Sequence, residues 1–260
     1  MNLSILGLGA LEGQLWQLMF VMVRVGAALV AAPIFGARSV PVQVRIVLAA
    51  VVGIFVLNWV PVQVPQDMAS LPAMVAVATE AVIGFTLGFV LQLAFAAPLV
   101  AAEQIGGAMG MAMVTAVDPT SGNQSGAIGQ LFGIVLALVF LAVGGHLLWL
   151  RLVVESYTLI PPGSGWDVGQ HGWLVASYLT QGLATAVAIA LPVTLVLLLV
   201  QLVTGVISRS APSLNLFALG LPAGVLAGIA ALILAAPVLN TQFVALATTA
   251  IEQAGEAVTP

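Results

Sequence analysis

Residues 168–208 read VGQHGWLVASYLTQGLATAVAIALPVTLVLLLVQLVTGVIS, a stretch without a single Asp, Glu, Lys or Arg. An α-helix rises 1.5 Å per residue, so about 20 apolar residues cross a hydrocarbon core of about 30 Å. The stretch predicts a membrane-spanning helix over Trp173–Ser208. This helix is long enough to protrude from a bilayer or to bend at Pro192.

The rest of the chain repeats this pattern. The sequence has five Lys and Arg and nine Asp and Glu in 260 residues, 62% of its residues are hydrophobic, and its mean hydropathy is +1.20. So few charges cannot cover the surface of a soluble domain, so the surroundings are lipid or other apolar protein. Further uncharged runs cover residues 46–66, 81–102, 119–150 and 210–251. These features predict an all-α integral membrane protein.

Prolines and polar turns divide the apolar runs into about six long helices, and residues from Asn240 onward favour a short amphipathic helix. The predicted spans are Leu11–Ala32, Val42–Trp59, Leu71–Pro98, Ala127–Val154, Trp173–Ser208 and Leu216–Ala235.

Composition also excludes several functions. The net charge of −4 is too small, and too widely spread, to indicate nucleic-acid binding. Cysteine is absent from the sequence, which excludes disulfides and cysteine metal sites. His146 and His171 are far apart and have no second ligand at metal-site spacing. The sequence therefore predicts no enzyme activity, no metal and no cofactor.

One segment fits neither lipid nor water. Residues 103–123 read EQIGGAMGMAMVTAVDPTSGN. Its glycines make a poor lipid-facing helix, since each costs about 1 kcal/mol relative to alanine, while its soft methionines are too apolar for a solvated loop. Irregular backbone at membrane depth survives where it is buried in protein or lines a cavity. These features predict a pliable constriction inside a membrane assembly, and its candidate gate residues are Glu103, Gly106, Gly107, Met109, Gly110, Met111 and Met113.

The glycine and methionine run is followed by Asp118-Pro119, which begins a turn because the residue before proline is pushed out of the helical region. Two interpretations remain open for this turn: a flexible hinge next to the constriction, or an ordinary connection between helices.

Arg24 lies mid-way along the first apolar helix, and an ionisable residue inside a membrane indicates function by default. Glu80 and Glu103 are its candidate partners. A buried ion pair that fixes helix register and a role in transport both remain open. Small residues at GxxxG spacing predict close helix packing; the pairs are Gly84/Gly88, Gly106/Gly110, Gly129/Gly133, Gly220/Gly224 and Gly224/Gly228.

Three stretches carry a resemblance to a known family. The first is residues 24–50, RVGAALVAAPIFGARSVPVQVRIVLAA, which contains R-x-G, P-x-F-G and V-P-x-x-x-R elements. The second runs from Glu103 to Asp118-Pro119. The third is residues 208–222, SRSAPSLNLFALGLP. The sequence resembles the export-gate family that comprises the flagellar FliR proteins and the injectisome T proteins. The structural motif residues are Arg24, Gly26, Pro33, Phe35, Gly36, Pro41 and Arg45, with Pro212 and Asn215 in the third stretch.

The resemblance implies a non-enzymatic subunit of the flagellar type III protein export gate, in the bacterial inner membrane at the flagellar basal body. Family members join five FliP-like and four FliQ-like subunits in one copy, FlhB-like and FlhA-like proteins accompany the gate, and unfolded substrates pass through it. The resemblance also implies that residues 1–154 are FliP-like, with the plug loop at 103–123 closing the channel. Residues 155–260 then form a FliQ-like helical hairpin and short tail.

Three alternatives remain open. An injectisome export-gate subunit differs from the flagellar one by resemblance alone. A small-solute secondary transporter would have broken helices, but two symmetric interrupted helices and a polar midplane cluster are missing from the sequence. An assembly scaffold would use the glycine segment only for packing.

Overall fold

The computed structural model describes residues 9–62, 70–111, 126–164, 166–210 and 216–259. Within these ranges the chain is all-α, as predicted. Its helices are α1 (Gly9–Ala31), α2 (Val42–Trp59), α3 (Leu71–Ala108), α4 (Ala127–Ala142), α5 (Gly145–Leu159), α6 (Val168–Ser210) and α7 (Leu216–Glu256). Met113, Asp118, Pro119, Pro212 and Asn215, which the sequence singled out, lie outside the described residues.

The helices are long and apolar enough to cross a membrane. Among the described residues, α1, α2, α3, α6 and α7 each pass this test of length and composition, and α4 with α5 make a sixth span if the broken pair counts as one. The prediction of about six hydrophobic helices is confirmed.

Helix α3 does not end at Pro98 and α7 does not end near Ala235, although α1 and α2 do stop before Pro33 and Pro61 as predicted. Helix α3 continues through Pro98 to Ala108, and α7 continues through Pro222 and Pro237 to Glu256. The separate sixth helix and amphipathic tail are thus one helix of 41 residues. A helix in a membrane has no water to satisfy a freed backbone group, so the chain keeps its remaining helical hydrogen bonds around a proline.

The predicted helix over Ala127–Val154 is wrong, because the chain breaks at Gly144. Val143 ends α4 by donating its N–H to the Val139 carbonyl at 2.9 Å, and Gly144 has φ +73°. Leu148 then donates to the Gly144 carbonyl at 3.2 Å and begins α5. A left-handed residue interrupts an α-helix, and glycine adopts that conformation without a Cβ penalty.

The chain divides into two compact units. The first contains Met1–Leu93, Gly144–Tyr178 and Thr249–Pro260, and the second contains Ala94–Val143 and Leu179–Thr248. The division of the chain at residue 154 into FliP-like and FliQ-like parts concerns likeness to other proteins and stays a prediction.

In the first unit, α1 lies directly against α3. A Cβ at Gly84 would collide with the carbonyl oxygen of Arg24, and a Cβ at Gly88 would collide with the carbonyl oxygen of Ala28. Glycine at both positions therefore lets the two backbones touch. The predicted packing role of the Gly84/Gly88 pair is confirmed.

The turn between α1 and α2 is closed by Arg45, which donates to the carbonyl oxygens of Phe35 at 2.9 Å, Gly36 at 3.1 Å and Ala37 at 2.6 Å. The Phe35 ring stacks on Trp149 of α5, with centroids 5.5 Å apart. The turn thus has both its backbone and its aromatic side chain fixed.

The second unit is packed by aromatic contacts between its helices. Phe95 of α3 meets Phe140 of α4 edge to face at 5.5 Å, and Phe132 of α4 meets Phe243 of α7 in the same way at 5.4 Å. Such pairs add about 0.5–1.5 kcal/mol beyond the area they bury. They fix α4 between the end of α3 and α7, where the glycine and methionine residues lie.

Candidate functional site

Helix α3 ends inside the predicted gate segment, in a defined C-terminal motif. Gly110 has φ +83° and donates its N–H to the Gly107 carbonyl at 3.0 Å, while Met111 donates to the Gly106 carbonyl at 3.0 Å. This pair of bonds is the Schellman arrangement, in which the left-handed residue is usually glycine. Gly110 therefore stops α3 and redirects the chain.

The sequence placed irregular backbone from Glu103 onward, and the structure places its start later. Gly106 and Gly107 both lie in the last turn of α3, and a Cβ at either one would meet no atom within 4 Å. The predicted Gly106/Gly110 packing contact is therefore absent at Gly106. Their own intrahelical hydrogen bonds satisfy the backbone here, although both residues keep the low helix propensity of glycine.

Met109 anchors this helix end to α7. Its side chain is 3% exposed and fills the space beside Gly228, and its carbonyl oxygen would lie 3.0 Å from a Cβ at Gly224. Gln201 of α6 donates from its side-chain nitrogen to the Ala108 carbonyl at 2.7 Å. The two contacts hold the last residues of α3 between α6 and α7.

Glu103 ties the end of α3 to the start of α4. Its carboxylate accepts the N–H of Gly126 at 3.2 Å, and Gly126 is the residue that caps α4. The first N–H groups of a helix lack intrahelical partners, and a carboxylate there also interacts well with the helix dipole. A charged side chain of α3 thus holds the residue at which α4 begins.

A cavity of about 540 Å³ opens between α4 and α7 at this helix end. Its only polar lining residue among those described is Asn240. The other lining residues are Met109, Met111, Ala127, Ile128, Leu131, Phe132, Val135, Val225, Ile229, Leu232, Ile233, Ala236, Leu239 and Phe243. Met109 and Met111 of the predicted gate therefore face apolar space.

A separate polar site lies in the first unit, around Arg24, which is fully buried. It forms a two-bond ion pair with Glu80, from Nε to Oε2 at 2.7 Å and from Nη2 to Oε1 at 2.9 Å. Arg24 Nη1 donates to the carbonyl and hydroxyl oxygens of Ser156, at 2.8 and 3.2 Å, and Nη2 donates to the Ile160 carbonyl at 3.0 Å. Of the two predicted partners, Glu80 is confirmed, whereas Glu103 bonds to Gly126 instead.

The surroundings of Arg24 explain how a charge survives there. A guanidinium has five N–H donors, and the contacts with Glu80, Ser156 and Ile160 use all five. The acceptors Ser156 and Ile160 lie at the C-terminal end of α5, where the helix dipole attracts a cation. The Tyr157 ring lies 4.2 Å from the guanidinium carbon, and its hydroxyl donates to the Val21 carbonyl at 2.6 Å. This network supports the interpretation of a buried pair that fixes the register of α1, α3 and α5.

The other motif residues shape the first turn. Pro33 follows the end of α1, and Pro41, in extended conformation, is the N-cap of α2. At Gly36 a Cβ would collide with the carbonyl oxygens of Val30 and Ala32, so only glycine fits. Gly26 has no such constraint, since a Cβ there would meet nothing within 4 Å.

Sequence reasoning missed the residues that act at a distance. Gln201 is an uncharged polar residue in an apolar run, which is a detectable signal, but its target carbonyl lies 93 positions away. Arg24 binds the backbone oxygens of Ser156 and Ile160, and a backbone acceptor leaves no mark in the sequence, although Ser156 also contributes its hydroxyl. Within the part of the chain that the structure describes, no group of three or more His, Cys, Asp or Glu is arranged to hold a metal ion.

Comparison with known proteins identifies the family. Residues 15–250 match the family described as bacterial export proteins, family 1. The flagellar biosynthetic protein FliR of Pectobacterium carotovorum subsp. carotovorum is 31% identical over 225 residues, which is 86% of this chain and 85% of that protein. The chain belongs to the FliR family of bacterial export proteins.

Other FliR proteins match over similar lengths. FliR of Escherichia coli strain K12 is 31% identical over 209 residues, covering 80% of this chain and 79% of that protein. FliR of Bacillus subtilis strain 168 is 29% identical over 209 residues, covering 78% and 80%. The resemblance drawn from the sequence motifs is confirmed. The matched range includes the ion pair of Arg24 and Glu80 and the end of α3, so both belong to the part of the chain shared with the FliR family.

Proposed function

We propose that this chain is a non-enzymatic subunit of the flagellar type III protein export gate and that its glycine and methionine segment closes the export channel at rest. The gate lies in the bacterial inner membrane at the base of the flagellum. The segment that closes it begins where Gly110 ends α3 and extends through the connection to α4. Unfolded flagellar proteins pass when this segment moves aside.

The anchored helix end is the observation that carries this proposal. Met109 is held against α7, the Ala108 carbonyl by Gln201, and Gly126 by Glu103. The described residues on either side of 112–125 are therefore held by contacts with neighbouring helices. A closing segment needs such a fixed base on each side, because hinge motion concentrates in a few residues at element ends.

Apolar side chains suit the closing step. A hydrophobic constriction blocks ions by excluding water, since an ion in an apolar passage loses its hydration. Methionine has three rotatable bonds, so it can refit around polypeptides of different sequence. The segment thus combines a seal against ions with tolerance for varied substrates.

Partner subunits fit the exposed apolar faces. Leu199 and Val206 of α6 are 62% and 67% exposed, and Val47 of α2 is 62% exposed. FliP-like and FliQ-like membrane subunits would pack on such faces, with FlhB-like and FlhA-like proteins attached to the assembled gate. The export channel forms between these subunits and this chain.

Ion leakage tests the closing role. We expect the double variant Met111→Ser/Met113→Ser to raise the resting ion conductance of the gate in planar bilayers about tenfold or more, because hydroxyls hydrate a passage that methionines keep dry. Met111 is half-buried and does not carry the Met109 anchor, so the helix end stays in place. Conductance is measured on the purified gate complex, and motility is measured in the same cells.

Met74→Ser is the matched control, since Met74 is 59% exposed at the start of α3 and remote in sequence from the segment. Its conductance should equal that of the unaltered gate. Unchanged conductance and motility in the double variant would refute closure by this segment. The chain would then serve as an assembly scaffold whose glycine segment only packs.

A further inference from the structure

The cavity between α4 and α7 is a long groove that lies wholly within the second unit. Its volume is about 540 Å³, and its lining on α7 runs from Val225 to Phe243. At 1.5 Å per residue, that part of α7 is about 27 Å long. Met109 lies against Gly228 near one end, and the Phe132 ring contacts Phe243 at the other. An occupant of this groove must therefore be elongated.

The groove has a buried floor and an exposed rim. Phe132 and Phe243 at the floor are almost fully buried, whereas Leu131 of α4 and Ile233 of α7 are 54% and 68% exposed. Because the rim is exposed, a molecule can enter the groove from the side without passing through the packed helices.

The surroundings of the groove favour a hydrocarbon occupant over water. Among the lining residues that the structure describes, Asn240 alone has a polar side chain, and a buried water makes about two to four hydrogen bonds. The part of α7 that is long and apolar enough to cross a membrane runs from Pro222 to Glu256, and it contains the whole α7 lining. The open side of the groove therefore meets lipid.

The volume of the groove selects among apolar occupants. An apolar cavity of about 150 Å³ holds one benzene, which has six carbons, so a cavity of about 540 Å³ holds about 20 carbons, the size of one acyl chain. A helix with its side chains is about 10–12 Å wide, so a single turn would already fill about 400–600 Å³. The groove is therefore too small to hold a partner helix along its length.

Asn240 gives the groove one polar position. It lies one turn before Phe243 on α7, and its side chain is exposed. A side-chain amide carries two N–H donors, and the ester group from which an acyl chain of a phospholipid extends carries a carbonyl acceptor. Specific ligand sites commonly combine an apolar lining with a few such polar groups.

We propose that this groove binds one acyl chain of a membrane phospholipid, with the ester carbonyl at Asn240 and the end of the chain near Met109. The lipid is a ligand of the second unit. Its binding does not require the neighbouring glycine and methionine segment to close a channel, so this site and the proposed function can fail separately.

Photocrosslinking tests the site. The full chain is placed in vesicles of phosphatidylethanolamine and phosphatidylglycerol that contain a phosphatidylethanolamine with a diazirine at the end of one acyl chain. It is then washed in detergent, irradiated and mapped by mass spectrometry. Leu199 of α6, which is 62% exposed, is the reference for lipids that touch only the surface. After the wash, we expect labelling of Val225 and Ile229 to exceed labelling of Leu199 about tenfold, because a lipid held in a site dissociates slowly.

Filling the groove should displace the lipid. Ala236 lines the groove, so Ala236→Phe should lower the labelling of Val225 and Ile229 about fivefold or more, and the smaller Ala236→Leu should lower it less. Ala230→Phe is the matched control, since Ala230 is exposed on the same helix outside the lining. It should leave the labelling unchanged. Asn240→Leu should shorten the retention of the lipid during the wash while the helical content of the chain stays the same.

Three results would overturn the proposal. One is equal labelling of Ile229 and Leu199 after the wash, and another is unchanged labelling in both Ala236→Phe and Ala236→Leu. The third is loss of the labelling when the chain is part of the purified gate complex, which would assign the groove to side chains of a partner subunit.

Discussion

Arg24 shows at the residue scale how a charge is kept inside an apolar chain. Its contacts with Glu80, Ser156 and Ile160 use every N–H donor of the guanidinium, and the side chains of both Arg24 and Glu80 are almost wholly inaccessible to solvent. Such a pair adds little net stability, because desolvation offsets the attraction, but loss of one partner leaves an unpaired buried charge. The pair therefore acts as a register device for three helices.

Replacement of one member of this pair is expected to be far more harmful than replacement of both. Arg24→Met or Glu80→Gln should destabilise the chain by about 3–5 kcal/mol, whereas Arg24→Met/Glu80→Leu should cost less than Arg24→Met alone. Thermal unfolding of the detergent-solubilised chain measures this difference.

The exposed pair of Arg151 and Glu155, with side chains 73% and 41% exposed, provides the control. Arg151→Met should change stability by no more than about 1 kcal/mol. Normal stability, assembly and export in Arg24→Met would show that the buried pair is dispensable.

At the scale of the element, the end of α3 separates three glycines that look alike in the sequence. Gly110 requires a left-handed backbone, while Gly106 and Gly107 are helical and unobstructed. One of the three glycines, Gly110, therefore ends the helix, while Gly106 and Gly107 lower the helix propensity of its last turn. The described residues 103–111 are accordingly a helix end of low intrinsic stability followed by a turn that Gly110 enforces.

The same substitution should have opposite effects at these positions. Gly106→Ala should stabilise the last turn of α3 by about 1 kcal/mol, because alanine is the better helix former and the site has room. Gly110→Ala should destabilise it by about 1–2 kcal/mol, because a Cβ is strained in the left-handed region. Hydrogen exchange of the backbone amides of residues 103–111, followed by mass spectrometry, reports both changes.

Gly205→Ala, in α6 at a site with nothing within 4 Å, controls for a general gain in helix stability. It should leave exchange at residues 103–111 unaltered. Slower exchange in Gly110→Ala would contradict the assignment of that residue as the helix stop.

The helices themselves show what the sequence could predict. Charge-free runs located α1, α2 and α6 to within about five residues at each end. The R-x-G and V-P-x-x-x-R elements marked a turn that Arg45 does close. The breaks were less predictable, because Pro98 and Pro237 continue helices in an apolar environment while Gly144 interrupts one. Local propensity is a weak prior where tertiary packing decides.

The candidate site was predictable from its local residue types but not in its long-range contacts. Methionines and glycines after the third span marked the segment, and Glu80 was one of two named partners for Arg24. The contact of Met109 with Gly228 and the bond from Gln201 to Ala108 join residues that lie far apart in the chain. Such pairings depend on which helices become neighbours, and the local pattern does not specify that.

On the scale of the whole molecule, many apolar side chains point outward, and the proposed gate assigns some of them to partner subunits. We expect a tagged form of the chain, purified in mild detergent, to carry two other small membrane proteins with it. In Leu199→Cys, a thiol-reactive crosslinker should join the chain to one of them, because Leu199 is 62% exposed on α6. The product is detected by mass spectrometry.

Leu197→Cys is the matched control, since Leu197 is fully buried in the same helix and should give no crosslink. A chain that runs alone, or only with copies of itself, would contradict a place in a hetero-oligomeric gate and favour a transporter.

The long-range pairing of Arg24 also sets the order of events during biosynthesis. Glu80 is made 56 residues after Arg24, and Ser156 is made 132 residues after it. At about 5–20 residues per second, the ribosome takes several seconds to supply the first counter-charge. An isolated arginine at the centre of a span costs about 2.5–3.5 kcal/mol during translocon insertion. We therefore expect the first helix to stay beside the insertion machinery until the third helix supplies Glu80.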